Sequence, residues 1–342
     1  MKILLGMSGG IDSTYSALKL IREGHEVEGA VLKMHEHTEI SEAEAAAAEL
    51  GIKLHVLDCT DIFEKIVKEN FVSEYTSGRT PNPCIICNEK IKFAKLYDFA
   101  MDRGFDKIAT GHYAKIVTNE QDGEVRYAVA SACDTSKDQS YMLYRLPQHI
   151  LSALVFPLSD SEKSDVRIRA RDAGIHSADR PDSQEICFLP DGGHTEFIEK
   201  RAGKCPEGNF IDPSGKVLGS HKGIIHYTVG QRKGLGIALG ERMFVTDIDS
   251  TNNTVMLSPV LSGTTTVRLT DMVYSGMDEP VDEISANLTV KLRYTAPKIP
   301  VSARLLPGGE AVLEFDSPVK AAPGQSAVLY SGDAVACGGI II

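Results

Sequence analysis

Apolar and polar positions follow two different rhythms along this chain, and the rhythm changes near residue 200. In the first half, short apolar runs of strand length alternate with stretches of helical spacing. Residues 2–7 read as a buried strand. Residues 13–23 read as a helix, with Ala17, Leu18 and Ile21 on one face and Gly24 as its stop. Residues 25–33 return as a strand. Ser41–Leu50 reads as a helix burying Ala43, Ala46, Ala47 and Leu50 at i, i+3, i+4 and i+7, ended by Gly51. Residues 53–58 form the next strand, and Asp61 with Glu64 suggests a capping box for a helix through Tyr75. A loop at 77–83 precedes a helix to about Arg103, Gly104 stops it, and 107–111 is a further strand. Repeated βαβ units predict an α/β domain, a parallel sheet with helices on both faces.

Beyond residue 200, glycine and proline become frequent and the apolar period shortens to two. Alternating runs at 243–247, 254–257, 288–292, 301–305, 311–315 and 326–330, with turn residues between them, predict small β domains of barrel type. The expected division is 1–200 for the α/β domain, 201–262 for a small central domain and 263–342 for a C-terminal β-barrel.

Composition narrows the class. The 342 residues are 42% hydrophobic and 24% charged, ordinary for a globular protein of two or three domains. No apolar run reaches the roughly 18 residues that a membrane span needs, and the first residues do not read as a signal peptide, so a cytoplasmic protein without a membrane partner is expected. The seven cysteines are too few and scattered for a disulfide scaffold. A net charge of −11 weighs against a nucleic-acid partner on average, but phosphate binding depends on where the cations sit.

Ser8-Gly9-Gly10-Ile11-Asp12-Ser13 lies between the first strand and the first helix. Its glycines allow a tight bend that points backbone amides at one spot beside a helix N-terminus, where anions are favoured. Ser8 and Ser13 add hydroxyls, and Asp12 is a candidate for holding the Mg²⁺ that accompanies a nucleotide. No Gly-x-x-x-x-Gly-Lys-Ser/Thr occurs. Ser-Gly-Gly-x-Asp-Ser after an N-terminal strand resembles the PP-loop ATP pyrophosphatases, which adenylate a carbonyl oxygen and release pyrophosphate.

Further segments narrow the resemblance. Arg79-Thr80-Pro81-Asn82-Pro83-Cys84-Ile85-Ile86-Cys87-Asn88 joins a stiff loop to a Cys-x-x-Cys that opens a helix, where the dipole would lower a thiol's pKa. Asp182-Ser183-Gln184-Glu185-Ile186-Cys187-Phe188 carries a third cysteine. Ala109-Thr110-Gly111-His112-Tyr113, Ser136-Lys137-Asp138-Gln139-Ser140-Tyr141, Tyr227-Thr228-Val229-Gly230-Gln231-Arg232-Lys233-Gly234-Leu235-Gly236 and Pro323-Gly324-Gln325 complete the set. Together these resemble the tRNA-specific 2-thiouridylase family, whose fold is a PP-loop domain, a small central domain and a C-terminal β-barrel.

That resemblance implies a tRNA-uridine 2-sulfurtransferase. ATP would be bound by Gly6, Met7, Ser8, Gly9, Gly10, Ile11, Asp12, Ser13, Met34 and Gly111, and would adenylate the 2-carbonyl oxygen of the wobble uridine. Cys187 would carry sulfur as a persulfide received from a donor such as a cysteine desulfurase or sulfur carrier. Cys87 would discharge it, leaving a Cys87–Cys187 disulfide. Asn82, Pro83 and Cys84 would face the target base. His112, Lys137, Asp138, Gln139, Arg293, Tyr294 and Gln325 would contact tRNA, of the Lys, Glu and Gln kinds. Two departures stand out: Cys84 stands where some members have an acid/base Asp, and His35-Glu36-His37-Thr38 is shorter than usual and lacks Asn-Trp.

Other readings of the same residues remain. Cys84, Cys87 and Cys187 are a legal ligand set for an iron–sulfur cluster, and a small-molecule ligase or amidotransferase would share the loop. His35 and His37 read as solvent-facing and without a role. Cys59, Cys133, Cys205 and Cys337 read as buried small residues or bystanders, and the glycines at 230, 234 and 236 as a tight loop.

Overall fold

The computed structural model describes all residues except 122, 181–185, 191, 192 and 239, and of residue 121 the backbone only. Five strands, β1 (Lys2–Gly6), β2 (Glu26–Lys33), β3 (Leu54–Asp58), β4 (Lys107–Thr110) and, further along the chain, Leu154–Val155, form one parallel sheet in the order β3-β2-β1-β4 with Leu154–Val155 at the edge. Alternate residues of β1 enter different cores. Ile3 and Leu5 pack with Ala17 and Leu20 of the helix Ile11–Arg22, whereas Leu4 packs with Leu96 and Ala100 of the helix Phe93–Asp102. The period of two in the strand therefore sorts helices onto both faces.

The helix Ser41–Leu50 has the expected bounds, and Gly51 closes it in the left-handed conformation at φ 65°. The capping box does not form. The next helix begins at Thr60, and it is Asp58 whose carboxylate accepts from the Thr60 amide at 3.0 Å and the Thr60 hydroxyl at 2.6 Å. The chain enters that helix two residues earlier than expected, so Asp61 lies inside its first turn.

Between β4 and Leu154–Val155 the chain makes an antiparallel hairpin, β5 (Lys115–Gln121) and β6 (Glu124–Ala130), and then β7 is Leu154–Val155 itself. The second unit is a four-stranded sheet of β8 (Gly208–Ile211), β9 (Val217–His221), β10 (Phe244–Asp249) and β11 (Thr254–Ser258) in the order β10-β11-β8-β9. Its core takes in Phe197 and Ile198 of the helix Gly193–Ala202, and it closes over Phe71 and Tyr75 of the helix Glu69–Thr76 in the first unit.

The third unit is a closed six-stranded barrel of β12 (Thr264–Val273), β13 (Ile284–Lys291), β14 (Ile299–Leu306), β15 (Glu310–Val319), β16 (Ser326–Ser331) and β17 (Ala334–Ile341). The circuit β12-β15-β14-β13-β16-β17 is completed by pairing of β12 with β17, which leaves no edge within the ring. β6 pairs with the start of β17, and Val328, Tyr330 and Val335 of the barrel share a core with Tyr141 and Tyr144 of the α/β unit. Tyr141 donates to the Ser326 carbonyl at 2.8 Å. Both β units are thus seated on the first through buried apolar surface. Among the described residues no helix is long and apolar enough to cross a membrane.

Candidate active site

The C-terminal ends of the parallel strands carry the site, as the α/β topology requires. After β1 the chain turns through Ser8-Gly9-Gly10. Ser8 and Ser13 hydroxyls share a hydrogen bond at 3.3 Å, the Ser8 amide donates to the Ser13 hydroxyl at 3.2 Å, and that hydroxyl donates to the Gly10 carbonyl at 3.0 Å. The loop is closely fitted. Gly9 has φ 79°, and a Cβ there would lie 2.4 Å from the Glu42 backbone. A Cβ on Gly111, just past β4, would come within 2.8 Å of the Asp12 carbonyl carbon and the Ser13 nitrogen. Met7 and Ile11 are buried beneath the loop, and a Cβ on Gly6 would meet Leu96 at 3.0 Å.

Asp12 is committed to other protein groups. Lys163 Nζ lies 2.7 Å from each of its carboxylate oxygens, and the Tyr113 hydroxyl donates to one of them at 2.9 Å. The expected Mg²⁺ role for Asp12 does not fit this geometry, because a buried lysine already fills the place a cation would take. Lys163 is the first residue of the helix Lys163–Asp172, and no motif in the sequence marks it.

Met34 is buried at the end of β2, its amide accepted by the Thr38 hydroxyl at 3.1 Å. His35 is buried as well, against Phe63 with ring centroids 6.1 Å apart. This corrects its reading as a solvent-facing residue. Burial and the neighbouring Lys68 hold its imidazole below the usual histidine range, and its ring bonds to the Cys187 backbone.

The cysteines converge beside these strand ends. Asn82 caps the helix starting at Pro83, its side-chain oxygen accepting from the Cys84 amide at 3.2 Å, while its amide group donates to the Met142 sulfur at 3.4 Å. Cys87 packs against the buried cluster of Met34, Cys59, Phe63, Val67 and Ile91, as does Phe188. Cys84 and Cys187 reach solvent. The three thiols are close enough to disfavour one another's charge.

The expected lowering of a helix-terminal thiol is overturned. Burial pushes Cys87 up to about 12, opposed by Lys92, and it raises Cys84 and Cys187 too. Desolvation outweighs the dipole, and Cys87 stands beyond the first turn where the dipole acts. Residues 182–185 of the Cys187 motif lie outside the described residues. Among the described residues no three His, Cys, Asp or Glu side chains gather to hold a metal ion. Cys59 and Cys337 are buried, Cys205 half-buried and Cys133 exposed.

The residues implied as tRNA contacts divide. Arg293 is exposed, and Lys137 and Tyr294 are half-buried, with the Tyr294 ring 6.0 Å from that of Tyr141. Asp138 is buried and turned inward, accepting from the Ala132 and Ser140 amides at 3.2 and 3.1 Å and from the Ser140 hydroxyl at 2.9 Å. These bonds tie its carboxylate to its own loop. Gln139 accepts from the Tyr113 amide at 3.0 Å. His112 shares a hydrogen bond with Thr110 at 2.8 Å beside Phe93, and burial, then Lys92, holds it well below the usual range, hence neutral. Gln325 crosses from the barrel to donate to the Thr80 carbonyl at 2.6 Å, next to the Asn82–Cys84 turn. Gly230, Gly234 and Gly236 all have positive φ, consistent with a tight loop.

Fold and site together define a class: a nucleotide-fold α/β domain with thiols at its strand ends, followed by two β units. Family comparison divides the chain likewise. A tRNA methyl transferase HUP domain matches residues 1–191, a tRNA methyl transferase PRC-barrel domain 195–259, and an aminomethyltransferase β-barrel domain 264–341. The chain is 42% identical to the tRNA-specific 2-thiouridylase of Acetivibrio thermocellus, over 99% of each chain. It is also 42% identical to that of Treponema denticola, over 100% of this chain and 98% of the relative. A solved 4-thiouridine synthetase–RNA complex with bound ATP aligns at 15% identity and TM-score 0.35, over 55% of this chain and 44% of that one, too slight a likeness to argue from. The chain belongs to the tRNA-specific 2-thiouridylase family.

Proposed function

We propose that the protein is a cytoplasmic sulfurtransferase that converts the wobble uridine of tRNA to 2-thiouridine at the expense of ATP. The observation that carries this reading is the convergence of Cys84, Cys87 and Cys187 at the strand ends that also hold the Ser8–Ser13 turn. The full-length likeness to 2-thiouridylases supports it.

In this reading, amides and hydroxyls of the Ser8–Ser13 turn hold the ATP phosphates while the uridine 2-oxygen attacks the α-phosphorus and pyrophosphate departs. Magnesium would arrive with the nucleotide. Cys187 carries sulfur as a persulfide from a donor protein. The outer sulfur attacks C2 and AMP leaves, a better leaving group than oxide. Cys87 then gives up its proton and attacks the Cys187 sulfur. The bond to the transferred sulfur breaks, 2-thiouridine is released, and a Cys87–Cys187 disulfide remains for a dithiol to reduce. Burial keeps the resting Cys87 thiol protonated, which protects it from oxidation between turnovers. Asn82 orients the Cys84 turn toward the base, and Arg293 and Lys137 meet RNA phosphates.

Incubation with ATP, magnesium, a sulfide source and tRNAs for Lys, Glu and Gln should give 2-thiouridine by nucleoside mass spectrometry, and Cys187→Ser should give none with a protein sulfur donor. Equal activity on a free uridine nucleotide would turn the reading toward a small-molecule ligase.

A further inference from the structure

The helix that carries Cys84 and Cys87 is irregular immediately after Cys87. Asn88–Lys92 winds as a wide π turn, with the Phe93 amide bonded to the Asn88 carbonyl five residues back. Residues five apart on a regular α-helix stand about 140° apart around the axis. The wide turn swings Lys92 back toward the face that Cys87 occupies. π turns insert a residue at a cost to packing and are frequent at functional sites.

A second π turn lies in the helix packed against it, Glu64–Lys68, and it too ends on a lysine. The two lysines differ in their partners. Lys68 is buried and ion-paired with Glu64 at 3.1 Å. Lys92 is half-buried, and among the described residues no carboxylate pairs with it. Its field instead acts on Cys84, Cys87, Cys187 and His112 together. Among the described residues, the other charged or titratable groups around the thiols are Cys59 with Asp58 and Lys95, His35, Tyr294, and the already paired Lys68.

Resting on the function proposed above, we propose that Lys92 is the cation that stabilises the sulfur anions of the transfer, placed by the π turn to serve both Cys187 and Cys87. Each sulfur step puts a negative charge in this crowded pocket: first on the outer sulfur of the Cys187 persulfide, then on Cys87 as its proton departs to solvent. A buried anion without a counter-charge is costly, and a lysine with no carboxylate partner among the described residues gives its charge to whichever sulfur is ionised. His112, kept neutral beside Lys92, does not compete for that role.

The test is alkylation of each cysteine, followed by peptide mass spectrometry from pH 7 to 11, in the full-length protein without tRNA. Lys92→Met should slow alkylation of Cys84, Cys87 and Cys187 about three- to ten-fold at a given pH, by raising all three thiols. Lys92→Arg should restore the wild-type profile, and Lys68→Met should change it less. Lys92→Gln serves if the Met variant does not fold. Unchanged profiles in the charge-removing variants, or a change that Lys92→Arg fails to rescue, would overturn the proposal. Absence of 2-thiouridine from the wild-type assay would instead remove the function, leaving the thiol profiles as a separate result.

Discussion

Lys163 and Asp12 are 151 residues apart in sequence and meet through both carboxylate oxygens, each 2.7 Å from the ammonium. The pair joins the start of the helix Lys163–Asp172 to the first turn of the helix Ile11–Arg22, beside the Ser8–Ser13 turn proposed to hold phosphates. Its lysine side chain is 8% exposed and its aspartate 31%, so solvent screens it only in part. Lys163→Met should therefore lower stability by about 1–3 kcal/mol and leave a bare carboxylate behind the phosphates, weakening ATP binding roughly ten-fold. Asp12→Asn keeps the Tyr113 contact and removes the negative charge beside the ammonium, so ATP affinity should hold or rise. Calorimetric titration with a non-hydrolysable ATP analogue reads both. If Asp12→Asn loses magnesium–ATP as severely as Lys163→Met, Asp12 is a metal ligand after all.

Close approach across the strand ends makes a second prediction. Gly111 has an ordinary φ, so Gly111→Ala is opposed only by the 2.8 Å contacts with Asp12 and Ser13. Relief requires the phosphate turn to move away from β4. ATP affinity should drop more than ten-fold while the far-ultraviolet dichroism stays native. Gly24→Ala is the control: its φ is 84° with nothing within 4 Å of the added Cβ. It should cost about 1 kcal/mol of stability and leave ATP binding alone.

A third prediction follows from His112. Its folded-state pKa lies well below its ordinary value of 6.5, through burial and then Lys92. As pH falls through 6.5 the unfolded chain takes up a proton that the native protein refuses. Stability from this group is complete above 6.5 and declines progressively below it. His112→Asn, which retains a partner for Thr110, should flatten the loss of melting temperature between pH 7 and pH 5. An identical acid slope in the variant would assign that loss to other histidines, of which His35 and His194 are also lowered by burial.

What the sequence disclosed was local. The strand β1, the helix Ser41–Leu50 and its Gly51 stop depend on periodicity and one left-handed glycine, and both read correctly from neighbouring residues. The family motifs likewise located the strand ends and the thiols. Contacts between distant segments left no such trace: nothing near Lys163 announces Asp12, and nothing near Gln325 announces Thr80. The hairpin of β5 and β6 turns at Gly123, whose φ of 80° comes from a glycine and not from any apolar period. The two π turns have sequences that a regular helix accepts equally well, and only tertiary packing selects the wide turn. Thiol acidity failed for a related reason: helix position is written in sequence, whereas the desolvation that outweighs it comes from burial of Cys87 against the cluster of Met34, Cys59, Phe63, Val67 and Ile91, which folding alone assembles.

The last prediction separates two ways a barrel residue can serve tRNA. Gln325 donates to the Thr80 carbonyl at 2.6 Å, and the Thr80 amide donates back to Pro323 at 3.0 Å, so the barrel braces the turn that leads to Asn82 and Cys84. Arg293 is exposed and free to meet a phosphate. Each phosphate neutralised contributes roughly 0.7 to 0.9 to the slope of log affinity against log salt. Arg293→Ala should therefore weaken tRNA binding at low salt and reduce that slope by about one, with turnover of bound tRNA unchanged. Gln325→Leu removes no charge and should leave the slope intact. It frees the Thr80 turn, so its loss should fall on the single-turnover rate of thiolation, by roughly ten-fold if the turn shifts by about 1 Å. Filter binding across a salt series and a quenched single-turnover assay make the comparison. A reduced slope in Gln325→Leu with a normal rate would make Gln325 a direct RNA contact and remove its role as a brace.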